Sequence, residues 1–140
     1  MSHVPARLRR LAVRRAGNRC EYCLLSQVGQ EATFHIDHIV AEANGGKAVS
    51  ENLAMACVSC SLRKEARQSG VDLETGKRVP LFHPRRDHWD EHFRLHGVEV
   101  EGTTAIGRVT VAVLRLNRPS ILVIRHEESL RERFPPNPLQ

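Results

Sequence analysis

The sequence predicts an α+β fold, and three observations predict it. A run of β-branched and aromatic residues, "FHIDHIV" from Phe34 to Val40, reads as a strand. Amphipathic helical spacing appears on both sides of it. Two C-x2-C pairs, Cys20/Cys23 and Cys57/Cys60, enclose the strand with 33 residues between them. The 140 residues fit one compact domain with an extension, and aromatics make up only 4% of the chain. Its core must therefore rely on aliphatic side chains or on a staple.

In chain order, residues 5–16 place Leu8, Leu11 and Ala12 on one helical face, with Pro5 near the first turn and Gly17-Asn18 as a stop. The other face is arginine. Six arginines (7, 9, 10, 14, 15 and 19) and no acidic residue precede Cys20. Together with the net charge of +5, this favours an anionic partner such as nucleic acid, though a solvated face fits too. "CEYC" makes a tight turn before the strand, and "EANGGKAVS" is a loop marked by Gly45 and Gly46. "SENLAMACVSCSLRKEARQ" begins as a helix or turn segment and closes with Arg63, Lys64 and Arg67.

Beyond it, residues 70–84 read as a hairpin around Thr75-Gly76, and "RRDHWDEHFRLHG" as a helix ending at Gly97. On such a helix His88, His92 and His96 would share a face, flanking a buried Trp89 and Phe93. A short strand (98–102), a helix (104–117) broken at Pro119 and a last helix to about Phe134 complete the pattern. The expected divisions are a basic helix (1–19), a core (20–69), a hairpin plus mainly helical extension (70–134) and a disordered tail (135–140).

The cysteine spacing points to metal. Zinc takes four ligands at tetrahedral corners, and two C-x2-C turns supply two thiolates each. Four sulfurs close the shell, so such a site is structural, and it provides the staple that this core needs. Disulfides are not expected. The N-terminal residues carry no apolar h-region or small-residue cleavage site, and no apolar run approaches a membrane span. The expectation is a cytoplasmic protein with reduced thiols and no membrane partner.

Within the stapled segment lie Asp37-His38-Ile39-Val40, Gly45-Gly46, Asn52-Leu53 and Lys64. In this order, with the two cysteine pairs, they resemble the HNH endonucleases of the ββα-metal fold, in their zinc-stapled branch. The resemblance covers about 45 of the 140 residues, Cys20 to Lys64. The stretch "LFHPRRDHWDEHF" is similar to an extension found in bacterial HNH proteins, a less specific match.

The resemblance implies a ββα core and metal-dependent hydrolysis of DNA phosphodiester bonds. His38 would be the general base, since imidazole ordinarily titrates near neutrality, at about 6.5. Asp37 would hold one catalytic divalent ion, Mg2+ or Mn2+, and Asn52 would brace the loop and orient the histidine by hydrogen bonding. Arg63 and Lys64, with Arg15 and Arg19 of the basic helix, would meet DNA phosphates.

Ser61 departs from the pattern. The family places Asn or His there as a ligand of the catalytic ion, and a serine hydroxyl is a poorer one. It would act through a water, since magnesium keeps most of its waters. His35, on the same strand face as Asp37, and His83 are further candidate ligands. Three functions stay open: a DNA endonuclease, a zinc-stapled DNA-binding module without turnover, and an RNA-cleaving nuclease. The pattern leaves the oligomeric state open: a monomer would nick and a pair would break both strands.

Overall fold

The computed structural model describes residues 3–137. The basic helix α1 (Ala6–Arg15) buries Ala12 and keeps Arg7, Arg9, Arg10 and Arg14 in solvent. It stops where Gly17 and Asn18 both take positive φ. Strand β1 (His35–His38) pairs antiparallel with β2 (Leu53–Ala56), His35 opposite Ala56 and His38 opposite Leu53. Every residue of β2 is buried. Helix α2 (Val58–Lys64) follows at once, its first turn capped by the Cys57 sulfur, which accepts from the Cys60 amide. The chain thus adopts the α+β class and the ββα core expected of it.

The hairpin after α2 consists of β3 (Ser69–Val71) and β4 (Arg78–Pro80). The predicted helix over "RRDHWDEHFRLHG" is not formed as such. It is one turn, α3 (Trp89–His92), followed by strand β5 (Phe93–His96), which pairs with β6 (Glu99–Gly102) across a Gly97-Val98 turn. Phe93 is buried, Leu95 is half-buried, and Arg94 and His96 point outward, which is period two rather than 3.6. Gly97, at φ 59°, supplies the left-handed residue that the two-residue turn requires. His88, His92 and His96 therefore share no helix face. His92 instead pairs with the Thr104 hydroxyl at 2.7 Å, and His96 with Glu101. Helices α4 (Ala105–Leu114) and α5 (Pro119–Leu130) close the molecule, α4 ending at Arg115 in left-handed conformation. The extension is thus two hairpins and three helices. Pro136 is buried, so the chain is still packed there, and residues 138–140 of the expected tail lie outside the described residues.

One hydrophobic cluster runs through the core and the extension, from Leu53 and Met55 to Leu114, Leu116 and Ile121. Four of the six aromatic residues gather in one place. Phe82 meets Tyr22 edge-on at 6.3 Å and Phe93 at 5.3 Å, while Trp89 tilts against Phe93 at 4.9 Å. The Trp89 indole donates to the Tyr22 carbonyl at 2.9 Å, tying the extension to the cysteine turn.

A polar clasp holds the β3–β4 hairpin to α4. The fully buried Asp72 accepts two bonds from Arg108, each 3.0 Å long, and one from Thr75. The Arg108 bonds hold its carboxyl well below the usual carboxylate range. A depressed pKa adds stability that is complete above the ordinary carboxylate value of 3.8 and is lost as pH falls through the folded value. Asp72→Asn is expected to melt at lower temperature than wild type at pH 7. The gap should narrow steadily in melts taken from pH 4 downward; a gap independent of pH would show that the clasp is not ionic.

Candidate active site and four-cysteine centre

The four cysteines meet beneath the ββα hairpin. All are buried and reduced, and their sulfurs lie within 4.8 Å of one another. The Cys23 and Cys57 sulfurs are 3.7 Å apart, against the spacing of about 3.8 Å that a tetrahedron with Zn–S bonds of about 2.3 Å demands. Backbone amides of Cys23 and Cys60 donate to the Cys20 and Cys57 sulfurs at 3.4 Å, one in each C-x2-C turn. Donors aimed at sulfur favour thiolate. The neighbouring thiols pull the Cys57 pKa far down, while burial pushes Cys20 up. Compactness, burial and donor set all suit one tetrahedral thiophilic ion. Among the described residues, no other group of three or more His, Cys, Asp or Glu side chains is gathered this way.

This knot fixes what lies above it. Ser61 follows Cys60 directly and Lys64 comes one turn later, so α2 presents both toward β1. His35 and Asp37, two apart on β1, face them. His35 Nδ1 lies 2.8 Å from the buried Ser61 hydroxyl. Burial raises the Asp37 pKa, while the Lys64 ammonium, a hydrogen bond from Ser61, and His35 and His38 pull it back. Lys64 is only 2% exposed, and its Nζ donates to the His38 carbonyl at 3.2 Å. Burial lowers the lysine pKa and the charge of Asp37 raises it. Lys64, expected on the DNA-facing surface, is therefore internal, with its charge directed at Asp37.

The His38 Nε2 atom is buried and has no hydrogen-bond partner. Asn52 holds the loop through the main chain. Its Oδ1 accepts from the Val40 amide at 2.8 Å, and its Nδ2 donates to the Val40 and Lys47 carbonyls at 3.0 Å. None of its bonds goes to the imidazole of His38. The loop closes on Gly46, where a Cβ would sit 1.7 Å from the Val40 carbonyl oxygen and 2.8 Å from Asn52 Nδ2.

His83 lies beside Lys64 in a shallow groove also lined by Arg67, Arg86 and Asp87. Burial, then Arg86, lower its pKa, and its Nδ1 accepts from the Arg85 amide at 3.2 Å. It borders the site without forming a three-ligand cluster with Asp37. Arg63 is half-buried and donates to Ser59 at 3.3 Å. Arg15 and Arg19 donate to the Leu53 and Leu24 carbonyls, at 2.8 and 3.0 Å, in a separate groove that also holds Arg85. Arg67 and Arg86 were not singled out as site residues from sequence; the signal available was the basic "HPRRD" run next to His83.

Two antiparallel strands and a helix, set on four converging cysteines with Asp37 and His38 on the first strand, define a ββα-metal domain. Residues 20–67 match the family model for HNH endonuclease. Domains of this family are generally nucleases acting on nucleic acid. No curated protein and no solved structure matches the chain.

Gly46 carries a prediction for this loop. Gly46→Ala forces backbone apart at Val40 and is expected to lose about 1–3 kcal/mol of stability in chemical denaturation. Gly45→Ala, strained by its φ of 91° but with no atom within 4 Å of the new Cβ, should lose less. Equal losses would show that the close approach of the loop is not what Gly46 serves.

Proposed function

We propose that this protein is a metal-dependent endonuclease that hydrolyses DNA phosphodiester bonds. The observation that carries the reading is the HNH match over residues 20–67 falling on the segment that assembles Asp37, His38, Ser61 and Lys64. His38 is the general base: it stands at the motif position that the HNH family uses for that role, and its buried Nε2 makes no hydrogen bond within the protein. Asp37 holds one divalent ion, Mg2+ or Mn2+, with Ser61 contributing through a water. That ion, when bound, stabilises charge on the phosphate and on the leaving 3′ oxygen. His35 positions Ser61 by its 2.8 Å contact. Lys64 offsets the carboxylate charge from inside, and Asn52 holds the turn after His38. The exposed arginines of α1, with Arg67 and Arg86 at the groove, supply the charge that meets phosphate, so binding weakens as salt rises.

The four cysteines hold a structural zinc, consistent with a reducing, cytoplasmic setting. No helix among the described residues is long and apolar enough to cross a membrane. Elemental analysis should find one zinc per chain. Stripping it with a strong chelator should abolish cooperative melting, because zinc binding and folding are coupled in small stapled domains.

A second reading has its own observation. Ser61 is buried and its hydroxyl is engaged by His35, so it is a weak substitute for the family's Asn or His. On that reading the protein binds DNA without cutting it.

Both readings meet in one experiment: plasmid nicking by zinc-loaded protein freed of other divalent ions, with Mg2+, Mn2+ or Ni2+ added separately. Wild type should nick with Mg2+ or Mn2+, and His38→Ala should be slower by about 10²–10⁴-fold. Intact plasmid with wild type and nicking by Ser61→Asn would establish the binding module. Cleavage of RNA but not of plasmid would establish a ribonuclease.

A further inference from the structure

Arg125 is the largest fully buried side chain in the protein, at 0% exposure, and it lies in the middle of α5, far along the chain from the cysteines. Its guanidinium donates to the Cys23 carbonyl at 3.2 Å, to the Val98 carbonyl at 2.9 Å and weakly to Asn117 at 3.5 Å. It also lies over the Phe134 ring, 5.7 Å from its centre. Its Nε has no partner. Among the described residues, none of the ion pairs involves Arg125, and every acceptor it reaches is neutral.

A fully buried cation without a counter-ion is among the costliest arrangements a fold can hold. Something must offset it. The groups that attract its charge are Cys23, Cys60 and Cys20, while the nearly buried Arg118 adds a second positive charge from the start of α5. Four thiolates around one Zn2+ carry a net charge of about −2 in a dry interior. Of the other cations nearby, Arg133 is committed to Glu128 at 2.7 Å and the buried Lys64 interacts with Asp37.

We propose that Arg125 is the counter-charge of the zinc–tetrathiolate centre, a positioning residue through which helix α5 retains the metal. Zinc held by thiolates binds more tightly when the surplus charge is neutralised, and groups surrounding a metal's ligands commonly set its affinity by about 10–100-fold. The extension is then part of the metal site, and loss of zinc frees α5 as well as the hairpin. The proposal rests on the zinc reading above.

The test separates charge from hydrogen bonding. In the full chain, Arg125→Gln keeps a donor for the Cys23 carbonyl without the charge, and Arg125→Lys keeps the charge. Zinc release to a chromophoric chelator and the thiolate-to-cobalt charge-transfer band of the cobalt-substituted protein are the two readouts. Arg125→Gln should release zinc about 10–100-fold more readily and shift the band to lower energy, because a nearby cation stabilises the sulfur lone pairs. Arg125→Lys should stay within a few-fold of wild type.

Zinc held equally by wild type and Arg125→Gln would overturn the proposal. So would equal loosening in both variants, or loosening with an unmoved band, since each marks a mechanical clamp. If wild type takes up neither zinc nor cobalt, the tetrathiolate reading falls first, and this inference with it.

Discussion

The convergence of Cys20, Cys23, Cys57 and Cys60 is the constraint on which the rest of the structure depends. It joins a turn after α1 to the first turn of α2, across a segment whose two strands form only four facing pairs. A two-stranded ribbon of that length has little stability of its own in water. Once the sulfurs are gathered, the end of β2 and the start of α2 are placed together, and with them the direction in which α2 leaves. Ser61 and Lys64 face β1 because of where Cys60 is held. The geometry of the candidate catalytic face is thus inherited from the four-cysteine cluster beneath it.

That face carries an electrostatic tension typical of sites built for use rather than for stability. Asp37 is disfavoured as an anion by burial and Lys64 is disfavoured as a cation for the same reason, yet each is the other's remedy. His38 is left with a buried, unpaired nitrogen on the same strand. A residue set chosen for packing alone would resolve these with apolar side chains of similar volume, at equal or better stability. Their persistence in one small hairpin agrees with the HNH match to residues 20–67.

What the sequence made legible is what local chemistry determines. The cysteine spacing, the strand around Asp37-His38, the glycine loop and the stop at Gly17-Asn18 each follow from residues within a few positions of one another. Tertiary demands decided the rest. "DHWDEHFRLHG" has apolar residues at 89, 93 and 95, which satisfies helical and strand periods at once; the pairing of β5 with β6 settles it, and that partner is not visible from within the segment. Lys64 and Arg125 were hidden for another reason. Charge in sequence reads as surface, and a buried cation is recognisable only when the distant parts of the chain that enclose it are in place.

The extension has a physical explanation in the size of the HNH segment. A ββα unit of under fifty residues buries little apolar surface of its own and depends on a staple or on further packing. Here four of the six aromatic residues meet at one seam, where Phe82, Trp89 and Phe93 of the extension close over Tyr22 beside the cysteine turn. Arg85 pairs with Glu21 at the same seam, and Glu21 in turn accepts from the Met55 amide at 2.9 Å. Hydrophobic closure and buried polar contacts from the extension therefore converge on the residues between Cys20 and Cys23. The extension buttresses the very turn that begins the four-cysteine cluster, in a chain where aromatics are only 4% of the residues.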